Sequence, residues 1–185
     1  PVFSANAGTA VIPSLSIGAV SVQPGAQTGV VLAGTGDPND AADSFYGDGI
    51  LRSADKGVTW TLIRQSNDGA TGAHSFLGLG FAGFAWSSLS PDTVVAAVSQ
   101  AAEGTLVNAD DSTYSVMGLY YSTDAGASWH MSVIRDGGQT VQQPQPSGLD
   151  HGGNAATSVV WNPIRQRFYA AIRYHGYYES PDGAT

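Results

Sequence analysis

The 185-residue chain has no cysteine, a single lysine (Lys56) and charge at only 12 % of its positions, with a formal net charge of −8. Without thiols there are no disulfides, thiolate nucleophiles or cysteine-ligated zinc. Seven Lys and Arg against fifteen Asp and Glu leave nothing to neutralise a row of phosphates, so no nucleic-acid partner is expected. No run approaches the roughly 18 apolar residues of a membrane span, and no basic amphipathic stretch is present. Helical periodicity is also missing. What remains, 24 Gly, 9 Pro and short apolar runs, is the composition of an all-β chain of short strands and turns.

Against this background one stretch recurs. Ser53-Ala54-Asp55-Lys56-Gly57-Val58-Thr59-Trp60 has the pattern Ser-x-Asp-x-Gly-x-x-Trp, and Ser122-Thr123-Asp124-Ala125-Gly126-Ala127-Ser128-Trp129 repeats it. A third copy starts at Ser180-Pro181-Asp182-Gly183, one residue tighter. The chemistry is that of a hairpin turn, in which the aspartate accepts backbone N–H bonds and glycine supplies positive φ. The tryptophan is expected to cover the buried face of the next strand. Apolar runs precede each copy, so each reads as strand, turn, strand.

The pattern resembles the Asp-box (BNR) repeat of the β-propellers of sialidases, xyloglucanase-type glycoside hydrolases, sortilin-like receptors and a photosystem assembly factor. That resemblance implies a β-propeller of four-stranded antiparallel blades. It also implies that the boxes, Ser53, Asp55, Gly57 and Trp60, then Ser122, Asp124, Gly126 and Trp129, then Ser180 and Asp182, are structural turns on the face opposite the functional one. About three blades are expected, over residues 17–64, 84–134 and, incompletely, 157–185, with 1–14 leading in. A single blade cannot bury its own faces, and rings of ~4 to 8 blades are usual. Further blades, from additional sequence or a second chain, are therefore the expected partners.

The strands expected within these units are Ile17 to Val22, Gly29 to Ala33, Ile50 to Ser53 and Val58 to Ile63 in the first. In the second they are Phe84 to Leu89, Thr93 to Ser99, Met117 to Ser122 and Ser128 to Ile134. In the third they are Thr157 to Trp161, Arg167 to Arg173 and Tyr177 to Ser180. Asp55, Asp124 and Asp182 stand 69 and 58 residues apart, more than a minimal unit of ~40–50 residues. The excess lies in connections at 34–49, 64–83, 100–116 and 135–156, all on one rim, and long loops on a rigid scaffold are where function is carried.

The candidate residues follow from that rim. The loop 34–49 holds Asp37, Asp40, Asp43 and Asp48 with Phe45 and Tyr46, oxygen ligands for which calcium is a candidate, although the spacing departs from an EF-hand. Glycoside hydrolysis requires two facing carboxyls, for which Asp37 and Asp150 are the first choices. Asp37 occupies the slot after a second strand where the xyloglucanase-type enzymes carry an aspartate, without their Thr-Asp-x-Gly-Gly context. Val11-Ile12-Pro13 lacks the arginine of the sialidase Arg-Ile-Pro motif. His74 and His151, ahead of inner strands, together with Asp48, Tyr46, Arg135 and His175, are the candidate ligand-binding residues.

The expected function is a propeller that binds a carbohydrate or protein ligand on its long-loop face; the alternative is a glycoside hydrolase with paired carboxylates. A purely scaffolding role is the third reading, since fold does not choose among them. The small, uncharged, Ala/Ser-rich stretch from Pro1 to Ser16 fits a trimmed exported N-terminus, so a secreted or periplasmic location is expected.

Overall fold

A computed structural model describes residues 16–25, 29–69, 72–101, 115–144 and 152–185. The segment leading into the first unit, 1–14, lies outside them. The described residues form an all-β structure without an α-helix. Three antiparallel meanders carry it. The first sheet runs β1 (Ile17–Val22), β2 (Val31–Thr35), β3 (Ile50–Ser53), β4 (Thr61–Ile63) in spatial order. The second is built on β5 (Leu79–Trp86), β6 (Val94–Gln100), β7 (Val116–Ser122) and the short β8 (His130–Met131). The hairpin of β9 (Ile134–Asp136) and β10 (Gln139–Gln142) comes next, and β11 (Gly152–Gly153) pairs parallel to β7. The third sheet is β12 (Ala156–Asn162), β13 (Arg167–Ile172) and β14 (Gly176–Ser180).

The three sheets share one register. Ser53 pairs with Val31, Ser122 with Val94 and Ser180 with Phe168, and those partners face Val22, Trp86 and Trp161 on the first strands. Counting back four residues from each of the last three gives Gly18, Ala82 and Thr157, and at each of them the first strand slips register against the second. A bulge bends and twists its strand. Its recurrence at one position means that all three first strands curve alike and can pack side by side. The resulting cores lie between sheets. One joins Leu32 and Ile50 of the first sheet to Phe81, Ala96, Tyr120 and Trp129 of the second. The other joins Val95, Ala97 and Leu119 to Ala156, Val159, Phe168 and Ile172. The arrangement is consistent with part of a β-propeller; the described residues do not close a ring.

A serine–aspartate turn closes the third strand of each sheet. Ser53 Oγ donates to Asp55 Oδ1 (2.8 Å) and accepts the Gly57 N–H (2.8 Å), while Asp55 accepts the Thr59 N–H (2.8 Å) and hydroxyl (2.6 Å). In the second turn the matching bonds of Ser122, Asp124, Gly126 and Ser128 measure 2.7, 2.8, 2.8 and 2.6 Å. The indoles of Trp60 and Trp129 each donate to the glycine carbonyl of their own turn at 3.1 Å. Lys56 and Ala125 adopt positive φ before the glycine. The third turn omits that residue, and Asp182 instead accepts the N–H groups of Ala184 and Thr185.

The second and third turns also sit on the sheet before them. A Cβ on Gly126 would lie 2.8 Å from the Leu32 side chain, and one on Gly183 2.3 Å from Val95; Leu32 and Val95 occupy the same register position. Arg52 Nε donates to Ala125 O (2.8 Å), and Ser132 Oγ to Gly183 O (2.6 Å). Glycine is required here by close approach as well as by φ.

Four strand expectations are corrected. The expected Gly29–Ala33 strand runs from Val31 to Thr35, and the expected Val58–Ile63 strand begins only at Thr61, because residues 58–60 belong to the turn. The strand expected at Phe84–Leu89 is Leu79–Trp86. Its glycines do not break it: a Cβ on Gly80 would lie 2.5 Å from Asp37 O, so the residue admits a neighbouring loop. The single strand expected from Ser128 to Ile134 divides, because Ser132 N–H bonds Leu119 O while Val133 N–H bonds Ala184 O of the third turn. Gln142 fills the break, donating to Leu119 O and Ser132 O and accepting from Leu119 N–H.

Two outcomes are expected from these turns. Trp129 is fully buried, whereas Trp60 is only partly so. Trp129→Ala therefore lowers unfolding free energy in urea by about 3–5 kcal/mol, and Trp60→Ala by about 1 kcal/mol. The second concerns acid. Hydrogen bonds from the Thr59 hydroxyl, the Thr59 N–H and Ser53 hold Asp55 down to about 2, from an ordinary value of 3.8. Burial pushes Asp124 up, but bonds from Ser128, Ser122 and Ala127 outweigh it and leave that carboxyl lowered. Such groups stabilise the fold above the ordinary carboxylate value, and the contribution is lost as pH falls through the depressed one. Thermal unfolding followed by circular dichroism shows Tm dropping from about pH 4 towards pH 2, and Asp55→Ala with Asp124→Ala flattens that drop.

Candidate functional site

At the end of the sheets opposite the serine–aspartate turns lie the longer connections. The loop from Gly36 to Gly49 is fixed from beneath by Thr35, whose Oγ1 donates to Gly49 O (2.7 Å) and accepts the N–H groups of Asp48 and Gly49. It crosses onto the second sheet, where Gly47 N–H bonds Leu79 O and Gly78 N–H bonds Gly47 O, both near 2.9 Å. It reaches the third sheet through Asp40, whose Oδ2 pairs with Arg173 Nη1 at 2.7 Å. One loop thus ties the same end of three sheets together. It presents Phe45 and Tyr46 stacked with ring centroids 5.3 Å apart and planes 7° from parallel.

The candidate residues divide between this rim and the interior. Asp37 is on the rim, and its Oδ1 accepts the Asn39 N–H at 3.0 Å, the bond of a local turn. Tyr46 and His175 are also there, the latter exposed in the hairpin Arg173–Gly176 beside the almost fully exposed Tyr174. Asp48 is placed differently from the expectation of a ligand-facing carboxylate. It is 5 % exposed and pairs with Arg64 Nε at 2.9 Å. Burial raises its pKa, against the lowering effect of Arg64.

His74, expected near an open channel, is 2 % exposed. Its N–H bonds Ser66 Oγ, and its Nε2 lies 3.8 Å from Asp68 Oδ2. Burial lowers its pKa, against the opposing pull of Asp68, so the imidazole is a neutral core group at pH 7 and not a rim base. Arg135 is away from the loop: its Nη1 donates to Thr140 Oγ1, and it lines a groove with Tyr169, Tyr177 and Glu179 on the third sheet. Asp150 and His151 lie outside the described residues. Among the described residues no group of three or more His, Asp or Glu is disposed to hold a metal; in the loop where calcium was a candidate, Asp40 and Asp48 are paired with arginines.

Sequence reasoning missed Asp68 and the Asp40–Arg173 pair. Asp68 is the junction between the first two sheets: Oδ1 accepts the Met131 N–H (2.9 Å) and Oδ2 the Ser66 hydroxyl (2.5 Å), while Asn67 N–H bonds Trp129 O. A signal was present, because Ser66-Asn67-Asp68-Gly69 repeats the Ser-x-Asp-Gly of the third turn. Asp40 and Arg173 are 133 residues apart, and no local pattern joins them.

No protein-family model matches this chain, and no curated protein matches it. Thirteen chains of solved structures do. One is a GH74 xyloglucanase from Xanthomonas campestris, 19 % identical with a TM-score of 0.29 over 84 % of this chain and 27 % of that one. The chain thus spans about a quarter of that enzyme's length, and a likeness of this degree carries no argument about activity.

The buried Asp48 gives the test of this geometry. Arg64→Met costs about 1 kcal/mol at pH 7, a modest figure because half of the Arg64 side chain is in solvent. The folded-state pKa of Asp48 already lies above its unfolded value, so ionising it disfavours the fold, and losing Arg64 raises that pKa further. Urea unfolding at pH 4 and pH 7 shows a larger loss at pH 7.

Proposed function

We propose that this chain is part of an Asp-box β-propeller that binds a carbohydrate or protein ligand on its long-loop face, with neutral glycans the first class to test. The observation that carries the reading is the loop 36–49. It is braced on three sheets by backbone bonds and by the Asp40–Arg173 pair, and it displays the stacked Phe45–Tyr46 pair with Phe45 47 % exposed. Aromatic faces offer flat apolar area to the C–H face of a sugar, with polar groups alongside to orient hydroxyls. Asp37 and Asp43 supply acceptors in the same loop as the rings. Bracing of this kind reduces the ordering that binding would otherwise cost.

The three serine–aspartate turns support the Asp-box assignment through their shared hydrogen-bond pattern and their position at the opposite end of the sheets. The functional part is tested by affinity electrophoresis of the chain in gels containing soluble β-glucans, xyloglucan or mannan. A retarded band is expected with at least one polysaccharide. The double variant Phe45→Ala/Tyr46→Ala weakens that binding about tenfold, the loss of roughly 1.4 kcal/mol of stacking. Retardation unchanged in the double variant rejects the loop as the site. Sugar released from the same polysaccharides by the parent chain, and lost in Asp37→Ala, would replace binding by glycoside hydrolysis as the reading.

A further inference from the structure

The connection between the second and third strands is long in the first sheet and minimal in the third. Counted back from Ser53 and Ser180, Gly49 takes the position of Gly176, and Thr35, whose N–H bonds Gly49 O, takes that of Ile172. Residues 36–48 fill the gap in one sheet; Arg173, Tyr174 and His175 alone fill it in the other. Both connections carry aromatic side chains on the same rim, and the 2.7 Å bond between Asp40 and Arg173 joins them directly.

The backbone of Tyr174 is the second observation. His175 N–H bonds Ile172 O at 3.1 Å and closes a four-residue turn, whose third residue, Tyr174, has a φ of 67°. Glycine or asparagine is usual in that place, and a bulky side chain there works against the fold. Asp40, Lys56, Ala125 and Gln166 are the other non-glycine residues at positive φ among the described residues, so Tyr174 is the one aromatic. No internal contact offsets the strain: the residue is 96 % exposed, and its ring makes no hydrogen bond or ring contact among the described residues. Strained residues that the surroundings hold in place cluster where ligands are gripped. Here the turn is held by the Arg173 side chain on Asp40 and by Arg173 N–H on Ala155 O at 2.9 Å.

We propose, resting on the glycan reading of the loop 36–49, that Tyr174 is a second stacking platform of the same face. The ligand is then a run of several sugar units in a neutral glycan, one part lying on Phe45 and Tyr46 and another on Tyr174. The Asp40–Arg173 bridge lies between the two connections. Separate rings with polar groups among them suit the alternating apolar faces and hydroxyls of a sugar chain. A protein partner would instead need roughly 1,000 Å² of interface around an apolar core. A chain that reaches both platforms gains the second contact within the same complex, so affinity rises with the number of sugar units.

The test titrates the 185-residue chain calorimetrically with cello-, xylogluco- and manno-oligosaccharides of increasing length. In at least one series the longest member binds about fivefold more tightly than the shortest. Tyr174→Gly abolishes that rise and leaves the shortest member's affinity unchanged, while Tm goes up by about 2 °C as the turn is relieved. Tyr174→Phe keeps the rise. Weaker binding by a more stable variant is not a folding defect. If Phe45→Ala/Tyr46→Ala removes binding but Tyr174→Gly leaves the length dependence intact, the proposal is overturned and the loop remains the site. A lower Tm in Tyr174→Gly also overturns it, because the residue would then serve the fold. Failure of the parent chain to bind any of the three series overturns this proposal and the glycan reading together.

Discussion

The fold depends on how a serine hydroxyl and an aspartate carboxylate organise the turn after each third strand. Ser53 and Asp55 satisfy four neighbouring N–H groups, at Asp55, Gly57, Val58 and Thr59, within eight residues. The order is local and needs no long loop closure. The turn sets where the strand ends and points the glycine outward. The sheet before it supplies the seat: Leu32 beneath Gly126, Val95 beneath Gly183. A motif that closes a hairpin is thereby also the latch between sheets. This explains the need for glycine even in the third turn, which has lost the positive-φ residue ahead of it.

The bulges supply the other half of the geometry. Slippage at Gly18, Ala82 and Thr157, four residues before Val22, Trp86 and Trp161, gives each first strand the same bend. No single side chain defines the bulge, since glycine, alanine and threonine occupy it in turn, although at Gly18 a Cβ would lie 2.4 Å from both Gly36 O and Phe81 O. The turn is a side-chain device and repeats in sequence; the bulge is a backbone device and repeats only in structure. Between them they hold three sheets of different loop length to one register, which is why 69- and 58-residue spacings give matching sheets.

How much could be read from the sequence follows the same division. The all-β class and the three turns were legible because their causes lie within a few residues. The first strand of the second sheet starts at Leu79, five residues before the expected Phe84, and runs through Gly80, which makes room for Asp37 O, 43 residues away. β8 was overextended because Val133 bonds Ala184 rather than its own sheet. At the site, Asp37, Tyr46 and His175 were placed on the rim by topology, but the burial of Asp48 and His74 depends on Arg64, Ser66 and Asp68 in space. Ser66–Gly69 sharpens the point. It has the letters of the third turn, yet Asp68 spends one carboxylate oxygen on Met131 of another sheet, so the same four residues make a latch without a hairpin.

The use of arginine narrows what the rim can accept. Arg52 is bonded to Ala125 O, Arg64 to Asp48, Arg135 to Thr140 and Arg173 to Asp40, while Arg167 stands 4.0 Å from Glu179. Five of the six arginines are thus engaged within the fold, and the net charge is −8. At Arg64, Arg167 and Arg173 a ligand carboxylate or phosphate would have to compete with a carboxylate already in place, at the cost of leaving that charge behind. A neutral polyol makes no such demand. Its hydroxyls can donate to Asp37 and Asp43, and its apolar face can lie on Phe45 and Tyr46, without disturbing the Asp40–Arg173 bridge that holds the loop across the third sheet. If the proposed binding face takes a glycan, the scarcity of cations that argues against a polyphosphate partner favours an uncharged glycan over an acidic one.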